Sequence, residues 1–579
     1  MKQLLRGLKE YRKEVILAPL FKMLEATLEL FVPLVMKSII DRGIPAGDTG
    51  YIIRMSLVLL AIAVVGLVCA ITAQWFSAKA ATGFAAKIRH DLFEHVQTLD
   101  FEELDRLGTS TLITRMTSDV NQIQNGVNLT LRLFLRSPFV VFGAMIMAFT
   151  IDTKSALIFA VVIPLLALVV FGIMLITRPM YQRVQTKLDR VTGRSRENLT
   201  GVRVIRAFGN EEDEEAAFTR ANEDLVKDQR AVGRISAFLN PVTYVMINFA
   251  ILLLIYTGAI RVEVGILTTG AVVALVNYMS QILVELIKLA DLIIQMTRAA
   301  ACGNRVEAIL EEGTEKERVV LNGLSGAESY VAGPEASSPY IVEFDHVSAR
   351  YNEGAEDALT DLSFSVERGQ TIGVIGGTGS GKTTLVQLIP GFYPASEGKV
   401  LVDGKDTADY DVRVLRNKSA IVLQKSVLFS GTIRDNLLFA DPDADEETLL
   451  EALRRAQALD FVQEKGGLSA WVEQGGRNFS GGQRQRLSIA RALVKHPEIL
   501  ILDDSASALD FATDAALRQA IREMAGDMTI FIVSQRTASV MNADRILVLD
   551  DGRLAGNGTH EELLQSSPVY REIYESQLK

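Results

Sequence analysis

Apolar and polar runs alternate along the first half of the chain. Six apolar segments stand out, at about 14–40, 51–79, 129–150, 155–177, 236–260 and 267–297. Each is long enough to cross a hydrocarbon core of about 30 Å as an α-helix. Charges make the first, second and sixth less uniformly apolar: Lys22, Glu25, Glu29 and Lys37 in the first, Arg54 in the second, and Glu285, Lys288 and Asp291 in the sixth. A charge facing lipid is costly, so these groups are expected to face protein or water. Lys22, Glu25 and Glu29 share one helix face by their spacing, either lining a cavity or pairing with Lys288 or Asp291 across the bundle. The polar insertions between segments, about 80–128 and 178–235, keep helical amphipathic periodicity. The helices of segments two to five are therefore expected to run on beyond the bilayer, by roughly 30 Å or more at 1.5 Å per residue.

Basic residues set the orientation. Lys2, Arg6, Lys9, Arg12 and Lys13 precede the first segment and Arg178, Arg183, Lys187, Arg190, Arg194 and Arg196 follow the fourth, whereas the short connections DRGIPAGDTG, IDTKSA and RVEVGILTTG are nearly neutral. Both termini and both long insertions are expected in the cytoplasm, in a multi-pass protein of the plasma (inner) membrane. Residues 311–340, EEGTEKERVVLNGLSGAESYVAGPEASSPY, lack apolar periodicity and read as a linker between a membrane domain, 1–310, and a second domain, 341–579. In that second domain short runs apolar on both faces, TIGVIG, EILILDD and MTIFIVS, alternate with helical stretches. Such runs suit buried parallel strands, so an α/β nucleotide-binding fold with an antiparallel addition is expected.

Composition agrees with a membrane part. The 579 residues are 49% hydrophobic with a mean hydropathy of +0.21, high for a wholly soluble chain. A net charge of −10 over such a length gives no reason to expect a nucleic-acid partner. The two cysteines, Cys69 and Cys302, are too few for a disulfide framework and read as inert thiols. The amino terminus shows no cleavable signal pattern.

Candidate chemistry begins with GGTGSGKT, followed by Thr384, where Gly376, Gly377, Thr378, Gly379, Ser380 and Gly381 lead to Lys382 and Thr383. Glycines let backbone N–H groups curl around phosphates, the lysine reaches the outer phosphates, and the threonine hydroxyl at the helix start can ligate Mg²⁺. ILILDD ends a buried strand on Asp503 and Asp504. In a phosphate-loop enzyme the first carboxylate holds Mg²⁺, and the next residue orients the attacking water.

Phe479, Ser480, Gly481, Gly482 and Gln483 spell FSGGQ, which resembles the signature of ABC ATPases. Other elements similar to that family stand in order: Tyr351 as the adenine-stacking aromatic, the phosphate loop, Gln424 as a Q-loop ligand of Mg²⁺, the signature, the acidic strand end, and Asp510 in SALD as the D-loop. The resemblance covers the whole chain and implies an ABC half-exporter: six transmembrane helices fused to a cytoplasmic α/β P-loop ATPase. It further implies ATP and Mg²⁺ as ligands, a bilayer around the helices and a small amphiphilic cargo. Residues 117–128 and 201–214 resemble the coupling helices at the tips of the cytoplasmic extensions. In this family two ATPase domains meet head to tail, so Ser480, Gly481 and Gly482 would serve ATP held by a partner.

Two positions depart from the family pattern. Asp504 stands for the expected glutamate, and Gln535, after the strand TIFIVS, for the expected switch histidine. Withdrawing a carboxylate by one methylene displaces it by about 1 Å, a change that can cost around 10²-fold in rate. Gln535 can hydrogen-bond a phosphate but cannot carry an imidazolium charge. The pattern resembles the degenerate-site subunit of heterodimeric bacterial exporters of drugs, lipids or peptides. A slow homodimeric exporter, or an ATP-binding gating or scaffolding subunit without sustained hydrolysis, are the alternatives.

Overall fold

The computed structural model describes residues 4–312, 338–351, 354, 356–505, 511–524, 526 and 528–577. The chain folds into two compact units, one of Met1–His95 and Ser110–Glu311, the other of Val96–Thr109 and Glu312–Lys579.

The first unit is all-helical: α1 Arg12–Ser38, α2 Thr49–Val96, α4 Val120–Leu133, α5 Arg136–Ile151, α6 Thr153–Thr200, α7 Val202–Phe208, α8 Glu211–Ala237, α9 Leu239–Glu263 and α10 Thr269–Leu310, while the short helix α3 Phe101–Leu107, between α2 and α4 in the chain, belongs to the second unit. The six predicted apolar segments fall on α1, α2, α4–α5, α6, α9 and α10. Five of these stretches are long and apolar enough to cross a membrane by composition. The sixth, α1, carries Lys22, Glu25 and Glu29 within its apolar run. At 48 residues each, α2 and α6 are about 72 Å long, so the expected extension past a bilayer is present. The core gathers on α10, whose apolar stretch is the most buried of the five; Leu275, Tyr278, Met279 and Ile282 pack with Val140, Phe159 and Ile247.

Of the membrane charges, Lys22, Glu25, Glu29, Glu285 and Lys288 are paired. Arg136, buried on α5, donates to Glu285 at 2.5 Å and to Glu29 at 2.6 Å. Glu285 also accepts from Ser137 at 2.9 Å and from Lys288 at 2.9 Å, and Lys22 binds Glu25 at 2.6 Å. The first helix thus meets neither Lys288 nor Asp291 as its counter-charge. It meets Arg136, a charge inside segment three that was not singled out from sequence.

Residues 117–128 do not form a tip. Val120, Ile123 and Gly126 are buried on α4, which packs along α10, and a Cβ at Gly126 would lie 2.2 Å from that of Ala299. The short helix lies earlier, at α3, set off by extended Asp100 and by Gly108 at φ +72°. The stretch resembles a coupling helix by its position in the chain, but its apolar positions three residues apart face a neighbouring helix. The other short helix, α7, falls inside the expected 201–214 and leaves Val204 and Phe208 exposed.

The second unit contains strands β1 Tyr340–Ala349, β2 Leu359–Glu367, β3 Thr371–Gly376, β4 Glu397–Val402, β5 Lys405–Asp406, β6 Ser419–Val422, β7 Gly431–Thr432, β8 Trp471–Val472, β9 Ile499–Asp503, β10 Thr529–Val533, β11 Arg545–Asp550 and β12 Arg553–Gly558. Six form one sheet in the order β12-β11-β3-β10-β9-β6, parallel except for β12. β2, β1, β4 and β5 form the antiparallel addition. Residues of β3 and β9 are buried throughout, which is why their sequence runs are apolar on both faces. Because β3, β10 and β9 are neighbours in register, with Val533 opposite both Val374 and Asp503, the loops leaving their carboxyl ends converge.

Candidate nucleotide site

The loop after β3 turns sharply into helix α11, Lys382–Leu388. Gly381 sits at φ +92°, where a Cβ would also lie 2.6 Å from the Ala358 carbonyl, and a Cβ on Gly376 would meet the Leu549 carbonyl at 2.2 Å. Only glycine fits either place. Lys382 is buried and folds back over the loop, donating to the carbonyls of Gly376 at 3.0 Å and Gly377 at 2.5 Å. Burial pushes its ammonium pKa down, opposed by the charges of Asp504 and Asp503.

Asp503 ends β9 and is buried; burial pushes its carboxyl pKa up, against a hydrogen bond donated by the Thr383 hydroxyl at 3.2 Å. Asp504 follows at φ +47°, a left-handed conformation that aspartate tolerates better than most side chains. Its N–H donates to the Val533 carbonyl at 3.0 Å and its Oδ2 accepts from Gln424 Nε2 at 3.3 Å. Its own carbonyl accepts from Gln485 Nε2 at 3.3 Å. Gln485, in the helix α12 Gly481–Val494, was not singled out from sequence, where it is one polar residue of QRQR.

These groups line one cavity of about 340 Å³, bounded by Thr378, Gly379, Ser380, Gly381, Lys382, Thr383 and Thr384 of the phosphate loop, by Tyr351, Gln424, Asp503 and Asp504, and by Gln535. Tyr351 shares a 2.8 Å hydrogen bond with the Thr384 hydroxyl, and its ring meets the edge of Tyr393 with centroids 5.1 Å apart. Tyr393 was missed as well. Its hydroxyl donates to Asp105 on α3, while Phe101 of α3 stacks on Phe392 at 4.3 Å. Burial and the Asp105 carboxylate both hold the Tyr393 phenol well above its ordinary pKa.

The signature lies elsewhere. Ser480 caps α12 in a reciprocal box, its Oγ accepting from Gln483 N–H at 3.2 Å and its own N–H donating to Gln483 Oε1 at 3.0 Å. Phe479 is buried beneath it and Gly481 and Gly482 open the helix, so unpaired N–H donors face outward. None of Phe479–Gln483 lines the cavity. Asp510 lies outside the described residues.

The ABC transporter transmembrane region family matches residues 15–286, and the ABC transporter family matches residues 359–507. An uncharacterized ABC transporter ATP-binding protein of Mycobacterium tuberculosis (strain ATCC 25618 / H37Rv) is 35% identical over 98% of this chain and 97% of its own length. The putative multidrug export ATP-binding/permease protein YgaD of Bacillus subtilis (strain 168) is 31% identical over 99% of this chain and 98% of its own. An ATP-dependent lipid A-core flippase of Hahella chejuensis (strain KCTC 2396) is 30% identical over 87% of this chain and 84% of its own. Among solved structures, a bacterial Atm1-family ABC exporter with ATP bound superposes with a TM-score of 0.79, covering 98% of each chain at 22% identity.

Proposed function

We propose, since the chain belongs to the ABC transporter family as an ATP-driven half-exporter, that it works beside a second, non-identical half-transporter and holds the slower of the pair's two ATP sites. One observation carries this reading: Asp504 and Gln535 both line the cavity whose phosphate loop, lysine and Asp503 are intact. ATP binding needs the second set and its cleavage needs the first. A carboxylate one methylene short, with an uncharged amide across from it, binds nucleotide and turns it over slowly.

Mg²⁺ suits the donors at hand. Thr383, Gln424 and Asp503 offer three oxygen ligands, and Mg²⁺ takes a few protein oxygens plus phosphates and waters rather than a complete protein cage. When bound, it would neutralise charge on the outer phosphates. Lys382 adds a second cation to the same oxygens, Tyr351 offers its ring to the adenine, and Gln424 ties the Mg²⁺ side of the cavity to Asp504.

The signature's distance from its own chain's cavity supports completion by a partner, with Ser480, Gly481 and Gly482 presented to the partner's ATP. The exposed apolar side chains of α7 suit a docking surface on that second subunit. In this reading the pair sits in the plasma membrane with its termini in the cytoplasm. It moves a small amphiphile, drug or lipid, out of the cytoplasm or inner leaflet, in keeping with the multidrug and lipid-flippase names of its relatives. The test is the ATPase rate of the purified chain alone and with the half-transporter encoded beside it. Near-background hydrolysis alone, rising on pairing, is expected; exporter-like hydrolysis by the chain alone overturns the heterodimer.

A further inference from the structure

The loop leaving β10 runs through Gln535 into a four-residue helix α13, Thr537–Val540, whose first turn has no cap from a neighbouring side chain. Its cap comes from 40 residues further on. Gln577, the last residue of helix α14, Pro568–Gln577, accepts from the Thr537 N–H at 2.8 Å and from the Thr537 hydroxyl at 2.9 Å. Its Nε2 donates to the backbone carbonyl of Gln535 at 2.7 Å. One amide thus bridges the Gln535 carbonyl and the start of α13 at Thr537.

The other end of α14 is fixed. Tyr570, seven residues before Gln577 and on the same helix face, is fully buried among Ile375, Ile546 and Val548 of β3 and β11. Its hydroxyl meets His560 Nδ1 at 2.7 Å. The helix therefore leans on the strand that feeds the phosphate loop and ends on the loop that faces it across the cavity. Glutamine at 535 makes such support matter, because its long uncharged side chain loses more rotamer freedom on reaching a phosphate than a ring does.

We infer that Gln577 is a positioning residue that holds the Gln535 backbone so that the Gln535 side chain meets the terminal phosphate, giving this chain's site its preference for ATP over ADP. The inference rests on reading the cavity as the ATP site. Gln577 touches no nucleotide itself; it acts through the loop.

The experiment displaces a fluorescent ATP analogue, in the presence of Mg²⁺, from the full-length chain in lipid nanodiscs with ATP and, separately, with ADP. Gln577→Ala should weaken ATP by about five-fold to ten-fold, the worth of one hydrogen bond, and ADP by less than about two-fold. Gln577→Glu keeps the acceptor for Thr537 but cannot donate to the Gln535 carbonyl while ionised, so it should lose the ATP preference at least as fully. Unchanged ATP affinity in both variants overturns the inference. So does an equal loss of ATP and ADP, which marks a purely structural cap, and so does wild-type selectivity in Gln577→Glu. Lys382→Ala, run alongside, separates the two levels: if it leaves both nucleotides bound as before, the ATP-site reading itself fails.

Discussion

Lys382 is held over the phosphate loop by two carbonyls of that loop, waiting to exchange them for phosphate oxygens. Lys382→Ala should therefore abolish or greatly weaken nucleotide retention at this site, while Tyr351→Ala should weaken it through lost adenine stacking; equilibrium binding to the full-length chain checks both. Repair of the neighbouring positions runs the other way. Asp504→Glu with Gln535→His should raise hydrolysis at this site toward the roughly 10²-fold that a 1 Å displacement removes, about 2.7 kcal/mol of barrier. Single-turnover hydrolysis measures the gain, and a lower rate in a folded double variant would count against the reading. The phosphate loop, the acidic strand end and the signature were legible because each is a contiguous run with a fixed mechanical role. Gln485 and Tyr393 were not, since each reaches the cavity's residues through one hydrogen bond or ring contact to a segment far away in sequence.

Among the helices, α1, α5 and α10 are tied by a buried charge cluster centred on Arg136 and Glu285. Breaking a buried pair leaves one charge uncompensated, so Glu285→Gln should destabilise the membrane unit by about 3 kcal/mol or more. Glu29→Gln should cost less, because Glu29 is half exposed and Arg136 keeps Glu285. Thermal unfolding in a fixed detergent orders the two; equal melting points would contradict the cluster's structural role. Helical periodicity disclosed the long helices, and the cost of lipid exposure disclosed that charges such as Glu285 face protein. Periodicity is silent on which inward charge meets which, and so the partner of the first helix came out wrong from sequence. The misplaced tip at 117–128 has the same origin: a polar window hid three inward positions, while Asp100 and Gly108, the residues that end α3, carried the usable signal.

In the proposed reading the whole chain presents half of each of two ATP sites. Its cavity is lined by the phosphate loop together with Asp504 and Gln535, and the signature residues Phe479–Gln483 do not line it. If it pairs with a subunit carrying the missing glutamate and histidine, the competent site lies on the partner's phosphate loop and is completed by Ser480, Gly481 and Gly482 of this chain. The ATPase rate of the paired complex carrying Ser480→Arg, compared with that carrying Asp504→Ala, probes this most directly. Ser480→Arg sets a bulky cation where backbone donors should meet the partner's terminal phosphate and should suppress most of the activity. Asp504→Ala touches the slow site alone and should suppress at least about ten-fold less, given the roughly 10²-fold handicap already there. If Asp504→Ala silences the complex as completely as Ser480→Arg, the two sites are equal and the heterodimer account is wrong.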